Sequence, residues 1–191
     1  MASGVNVRSV VARLYDHTGR YEDARVGVID QSRKMLSGQH LRISHCVAQL
    51  SDEQLWWRPR PEMNSIANLM LHLAGNVGQW VIAGVTDGTF NRDRPGEFAA
   101  TSGEAAEVLS TVMQDTGRRL ADFDASRLLE PVVVQGFDTT RLGALLHAVG
   151  HFEGHAQEIV CLTRQQLGGA YDPLWKPTTP EHLAALTPTC R

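Results

Sequence analysis

The amino-acid sequence predicts an all-α fold, an antiparallel four-helix bundle, on the basis of three observations. Apolar residues recur at helical spacing through four long segments of the chain. N-cap residues, glycines and prolines separate these segments. The one β-like run, PVVVQGFDT after Glu130, is too isolated to imply a sheet. The 191 residues, 42% of them hydrophobic and 20% charged, are typical of one compact domain.

The first half of the chain predicts two of the helices. Apolar residues recur near seven-residue steps over residues 21 to about 50, which predicts the first helix. Ser51, followed by two acidic residues, is a new N-cap, and two prolines soon stop that segment. Ser65 caps an unusually apolar helix that reaches about residue 85 and is expected to be buried on most sides. Residues 86–100 contain Asp-Gly and Pro-Gly and predict a loop.

The second half predicts the other two helices. Thr101 with Glu104 three residues later predicts a capping box that opens a helix to about Phe123. A threonine at 139 or 140 caps the fourth helix, which ends at Leu167 before two glycines.

The predicted domain organisation has three parts. Residues 1–22 form an N-terminal extension and residues 23–169 the four-helix bundle. Residues 170–191 form a proline-rich C-terminal tail, which the prolines make a poor helix and an extended segment.

Charge and composition exclude several classes of function. Eighteen basic against 21 acidic residues give a net charge of −3, which provides no basic field for nucleic acid or for an anionic membrane. No apolar run approaches the roughly 20 residues of a membrane helix. The start, MASGVNVRSV, lacks the features of a signal peptide, and three scattered cysteines form no disulfide framework. We therefore expect a cytoplasmic protein without nucleic-acid or membrane partners.

The fourth predicted helix carries a stripe of histidines. His147, His151 and His155 are four residues apart, so at about 100° per residue the outer two lie about 40° on either side of His151. Glu158 lies in the same stripe. A pair of histidines at i and i+4 can chelate one divalent ion, because the side chains rise from adjacent turns. The alternative is that these are half-buried structural histidines with hydrogen-bonding neighbours.

The spacing of His151 and His155 also occurs in the zinc-protease motif HExxH. In that motif the glutamate directly follows the first histidine and reaches a metal-bound water. Here the intervening glutamate, Glu153, points to the opposite side of the helix. The sequence therefore argues against a protease of that class.

His72 lies in the second long helix between Leu71 and Leu73. Burying an unpaired polar group costs about a few kcal/mol, so this imidazole needs a partner. The partner is either a neighbouring carbonyl or asparagine, or a metal ion shared with the His151 and His155 stripe across the bundle. The spacing does not choose between these alternatives.

Two stretches of the sequence resemble a known superfamily. LSDEQLWWRPRPEMNSIANLMLHLAGN at residues 50–76 and HFEGHAQEI at residues 151–159 are similar to motifs of the DinB/YfiT-like superfamily of four-helix metal proteins. The resemblance spans roughly residues 30 to 167. It implies that His72, His151 and His155 are the three metal ligands of a site between helices.

The chain departs from the family motif at Glu158, where members commonly have glutamine. This carboxylate could be a fourth ligand, orient a ligand imidazole or act as a general base. The alternative is a salt bridge to an arginine. His147 is extra to the motif. It either supports a ligand histidine or is an ordinary half-buried histidine, and we expect the second. His40 and His45, about 140° apart on the first helix, cannot chelate as a pair.

Cysteines and tryptophans are assigned structural roles. We expect Cys46 and Cys161 to be small buried residues. Three tryptophans are expected in the core or at a pocket rim: Trp56, Trp57 and Trp80.

Three neutral imidazoles leave a divalent ion with open coordination positions, which is typical of a catalytic metal site. On Zn²⁺ or Ni²⁺ a bound water or thiol loses its proton near neutral pH. The resemblance implies a homodimeric thiol S-transferase that joins a low-molecular-weight thiol to a small electrophile. Two alternatives stay open, a hydrolase in which Glu158 assists a water and a non-catalytic, stress-linked metal-binding protein.

Overall fold

The computed structural model describes residues 18–174, with side chains from residue 24, and most of this stretch is helical. In chain order the helices are α1 (Thr18–Val47), α2 (Asp52–Trp56), α3 (Ile66–Val77), α4 (Arg94–Ala99), α5 (Ala105–Ala121) and α6 (Arg141–Leu167). Helix α3 continues into a wider π-helical turn, Gly78–Ala83, and 3₁₀ turns at Ala125–Leu129 and Gly168–Ala170 follow α5 and α6. Two antiparallel strands, β1 (Pro131–Val134) and β2 (Phe137–Thr140), pair in register Pro131 with Thr140.

The four long helices α1, α3, α5 and α6 are those that the periodicity predicts, with ends shifted by a few residues. Three predicted N-caps are confirmed. Ser51 and Ser65 each accept a hydrogen bond from the backbone three residues on, and in both cases the side chain at that position returns the bond. Thr140 accepts from the backbone N–H of Gly143 and starts α6. Gly168, with φ of 54°, ends α6 as predicted.

The capping box predicted at Thr101 and Glu104 is wrong. Helix α5 begins only at Ala105, and Glu104 occupies the N-cap position without a side-chain capping bond. Gly103 has φ of 122°, a conformation that turns the chain between the two residues of the predicted box.

The predicted loop at residues 86–100 and the β-like run also differ from expectation. Helix α4 lies within the loop, started by Asp93, whose side chain accepts from the backbone of Gly96. A proline in the first turn favours this start. The β-like run pairs with itself through a two-residue turn at Gln135 and Gly136, so it forms a hairpin without needing a larger sheet.

The core forms where the long helices meet. Helix α1 packs on α5 and α6, and α3 packs on α5 and α6. The largest fully buried side chains come from all four of these helices: Ile43, Leu69, Leu73, Leu109, Leu120, Leu145, Phe152 and Ile159. Leu73 and Phe152 each directly follow a histidine of interest, so the histidines lie at the edge of this core.

Within residues 18–174, every helix is too short or too polar to cross a bilayer. Most of the predicted N-terminal extension and C-terminal tail lie outside the described residues, so those boundaries stay predictions.

Candidate metal centre

Three of the predicted histidines come together where α3 and α6 meet. His72 is on α3, and His151 and His155 are on adjacent turns of α6. Each offers one ring nitrogen, and these atoms all lie within 4.8 Å of one another. The Nε2 atoms of His72 and His151 are 3.2 Å apart, although the two residues are 79 positions apart in the chain. The fold therefore brings His72 next to His151 and His155, which their spacing in the sequence could not predict.

The carboxylate of Glu97 contacts His72 on the side of the ring that faces away from the other histidines. His72 Nδ1 lies 3.0 Å from Glu97 Oε2. Arg92 Nη2 lies 3.1 Å from the same nitrogen, but a carboxylate oxygen can only accept. We therefore assign the proton to Nδ1, which donates to Glu97 and leaves Nε2 a lone pair toward the other histidines. This is the arrangement by which proteins fix the orientation and tautomer of metal-binding histidines.

Arg92 in turn makes a bidentate contact with the Glu97 carboxylate. Arg92 Nε donates to Glu97 Oε1 at 2.7 Å and Arg92 Nη2 donates to Oε2 at 2.9 Å. The side chains of Arg92 and Glu97 are only 6% and 8% exposed. Burial raises the pKa of Glu97, but the hydrogen bonds from Arg92 and His72 outweigh it and leave that pKa below its ordinary value. Glu97 is therefore an ionised acceptor for His72.

A glycine on α3 makes room for this ion pair. A Cβ at Gly75 would overlap the Glu97 carboxylate and crowd Arg92, and one at Gly78 would overlap the ring of Phe90. The segment before and within α4 therefore lies directly against the α3 backbone. Neither Arg92 nor Glu97 was identified from the sequence, and these two glycines were the available signal.

His155 is held by a second carboxylate on its own helix. Its Nδ1 lies 2.7 Å from Glu158 Oε2, so by the same reasoning Nδ1 donates and Nε2 keeps a lone pair. Of the roles that the sequence left open for Glu158, this contact supports orientation of the His155 ring. The alternative, a salt bridge to an arginine, is not found among the described residues, where the partner of Glu158 is His155.

His151 completes the cluster as a neutral imidazole. Burial, and after it the neighbouring rings of His155 and His72, together lower the pKa of His151 to about 4. Its Nδ1 is buried without a hydrogen-bond partner among the described residues. The nitrogen that faces His72 is the other one, Nε2. An uncharged ring fits a metal ligand, since a metal binds the lone pair of neutral imidazole.

Aromatic rings border the cluster on two sides. The ring of His147 stacks on Trp80 with 3.9 Å between centroids, while its distance to the His151 ring is 5.8 Å. His147 is therefore beside the three-histidine cluster and not part of it, and it is exposed, so the prediction that it is half-buried is wrong. On the other side the ring of Phe98 lies 4.9 Å from His72.

The comparisons with known proteins address the resemblance. A family model described as "Protein of unknown function (DUF1572)" matches residues 25–178. The chain belongs to this family. The family is DinB-like, which confirms the resemblance inferred from residues 50–76 and 151–159.

Solved structures of DinB-like proteins share the fold. The DinB-like protein YjoA from Bacillus subtilis is 15% identical, with a TM-score of 0.60 over 78% of this chain and 99% of that one. A conserved protein from Enterococcus faecalis is 17% identical, with a TM-score of 0.59 over 73% and 96%. A DinB-like protein from Bacillus cereus is 18% identical, with a TM-score of 0.51 over 73% and 85%. No curated protein matches the chain.

The other candidate residues of this DinB-like chain lie elsewhere. His40 Nε2 is 3.3 Å from the hydroxyl of Ser110, and His45 Nε2 donates to the backbone carbonyl of Asp172 at 2.6 Å, so the two histidines have separate partners. Cys46 is buried as predicted, and burial raises the pKa of its thiol.

Two of the structural assignments need correction. Cys161 is exposed, because it lies on the outer face of α6, and the prediction that it is buried is wrong. Trp80 is buried in the core, and the partly buried Trp56 packs against the core. Trp57 is exposed.

Proposed function

We propose that this DinB-like protein binds one divalent metal ion, Zn²⁺ or Ni²⁺, at His72, His151 and His155, between the helices of a four-helix bundle. We further propose that it is a metal-dependent thiol S-transferase that acts on a small electrophile. The observation that carries the proposal is the convergence of three imidazoles from α3 and α6, within 4.8 Å of one another. Nitrogen ligands of this kind suit both metals.

The donor set fits a catalytic ion better than a structural one. Three neutral nitrogens leave at least one coordination position open, whereas structural zinc sites are closed by four protein ligands. When bound, such an ion lowers the pKa of a thiol enough to supply a thiolate nucleophile at neutral pH.

The chain's own residues prepare the site for that role. Glu97 and Glu158 each take the Nδ1 proton of a ligand histidine, so that the opposite nitrogen is available. Arg92 neutralises the buried Glu97, so the carboxylate orients His72 without cancelling the charge of an ion. The rings of Phe98 and His147 lie beside the cluster, where the apolar part of an electrophile would contact them.

The position of Glu158 argues against the hydrolase in which this carboxylate assists a water. A general base must reach the water that attacks the substrate. Glu158 instead bonds Nδ1 of His155, which is on the far side of the ring from the nitrogen that would face the metal.

The test begins with metal analysis of protein purified without a histidine tag. We expect about one ion per chain in the wild type, loss of most metal in His72→Ala, and retention in the control His147→Ala, whose ring lies outside the cluster. A screen of low-molecular-weight thiols with an aromatic electrophile such as 1-chloro-2,4-dinitrobenzene follows. Thiol-dependent consumption that is lost in His151→Ala supports the transferase.

Each other outcome selects an alternative. Turnover of ester or amide substrates without a thiol indicates a hydrolase. Metal binding with neither activity indicates a non-catalytic metal-binding protein. Undiminished metal in His72→Ala contradicts the proposed site itself.

A further inference from the structure

The turn between β1 and β2 contains a residue that its backbone conformation disfavours. Gln135 has φ of 55° and Gly136 has φ of 81°, so both residues are in the left-handed region. Two-residue hairpin turns of this kind prefer asparagine, aspartate or glycine at both positions. A glutamine in such a conformation is uncommon, so the contacts of its side chain are of interest.

The side-chain amide of Gln135 reaches into the surroundings of the metal centre. One of its atoms lies 2.9 Å from Arg92 Nη1 and 3.2 Å from Trp80 Nε1. Both neighbours are donors, so we place the amide oxygen there, where it accepts from each. The same atom is 2.7 Å from Gln79 Oε1, so an oxygen of Gln135 at this position requires the Gln79 amide, which follows α3, to turn its NH₂ group toward Gln135.

These contacts form a continuous path from the hairpin to His72. Gln135 bonds the Nη1 group of Arg92, whose other two donors bond Glu97. Glu97 bonds Nδ1 of His72. We propose that Gln135 is a positioning residue, which fixes Arg92 and through it Glu97 and the ring of His72 for metal binding. This inference rests on the proposed metal site.

The guanidinium of Arg92 is the middle of this path. It is planar, and its position determines where both oxygens of Glu97 lie. Its Nη2 also lies 3.1 Å from His72 Nδ1 and its Nη1 lies 3.2 Å from the side chain of Gln79, so the contact with Gln135 is the one that joins the guanidinium to the hairpin. The contact between Gln135 and Nη1 ties the pair to the hairpin, which is itself docked because the buried Val134 packs against Gly84.

The substitution Gln135→Asn tests the inference. Asparagine followed by glycine is the preferred pair for this turn, so folding should not suffer, but the side chain is one methylene too short to reach Arg92. We expect the apparent melting temperature of the apo protein to stay the same or rise by about 2–4 °C. Zn²⁺ affinity, from chelator competition, should weaken by about three- to tenfold, less than the 10–100-fold typical of a direct partner of a ligand.

Two further variants show whether Gln135 acts through Arg92. Arg92→Lys removes the planar guanidinium, so adding Gln135→Asn to it should weaken Zn²⁺ binding no further. The control Val133→Thr changes an exposed side chain of the same hairpin and should leave affinity unchanged. The visible absorption of bound Co²⁺, which depends on ligand geometry, should change in Gln135→Asn and stay the same in Val133→Thr.

The outcomes separate this inference from the metal-site proposal. A wild type that binds no ion contradicts the proposed site. A wild type that binds Zn²⁺, with equal affinity and an unchanged Co²⁺ spectrum in Gln135→Asn, overturns the positioning role alone. A weaker affinity together with a lower melting temperature also overturns it, because it indicates general damage to the fold.

Discussion

The substitution Glu97→Gln is the most informative single change in this protein. It keeps the shape of the side chain but removes the charge that Arg92 and His72 share. One oxygen becomes an NH₂ group, which then faces a donor from Arg92 or His72. Both members of the ion pair are less than a tenth exposed, so solvent cannot replace the lost interaction.

The structure allows the size of both effects to be worked out. Removing one charge of a buried pair costs about 3–5 kcal/mol, and the retained acceptor places this change near 3 kcal/mol. At about 2–4 °C per kcal/mol for a chain of this size, the melting temperature should fall by about 6–12 °C. The affinity for Zn²⁺ should fall by about 10–100-fold, because the proton on His72 Nδ1 loses its acceptor.

The assay pairs thermal unfolding of the apo protein with chelator competition at a temperature where the variant is fully folded. The matched control is Asp115→Asn, which makes the same acid-to-amide change at a partly exposed pair with Arg118 and Arg119. It should cost at most about 1 kcal/mol and leave Zn²⁺ affinity unchanged. Wild-type affinity in Glu97→Gln would refute the reasoning that Glu97 holds His72.

Three other predictions follow from the structure and the sequence. Glu158→Gln should retain about one metal ion per chain but bind it more weakly, because Glu158 orients His155 and is not a ligand; elemental analysis showing loss of the ion would contradict this. Hydrogen bonds from Arg141 and then Arg127 lower the pKa of Asp87, so its contribution to stability is present above its unfolded pKa and is lost as the pH falls through its folded pKa. Asp87→Asn should therefore flatten the loss of stability in acid-titrated thermal unfolding, and an unchanged acid profile would contradict it. The homodimer implied by the family resemblance stays a prediction, and a monomer mass by light scattering at tens of micromolar would contradict it.

The helices could be predicted because their signals are local. Periodic apolar residues and the caps at Ser51, Ser65 and Thr140 act within one or two turns, and the structure confirms them. Helix α4 was missed because a helix of six residues carries too little periodicity to stand out. The hairpin was missed because its two strands stabilise each other within a single short run.

The residues of the candidate site likewise differ in whether local sequence signals could predict them. The pair His151 and His155 follows from spacing on one helix, and His72 followed from the family resemblance. Arg92 and Glu97 reach His72 only because the chain before and within α4 folds back onto α3. No periodicity encodes that contact, and its trace in the sequence is the glycine at 75, where a side chain would block it.

The two carboxylates behind the ligand histidines differ in how much of their charge acts at the metal position. Glu97 is buried but neutralised by Arg92, and the Glu158 side chain is 43% exposed and therefore screened by solvent. The three imidazoles are uncharged when they bind a metal, so most of the charge of a divalent ion would remain for its next ligand. An anionic sulfur gains more from that charge than a neutral alcohol or amine does. The arrangement of charges behind the histidines therefore favours an anionic ligand on the open side of the ion, and the thiol of the proposed transferase would supply one.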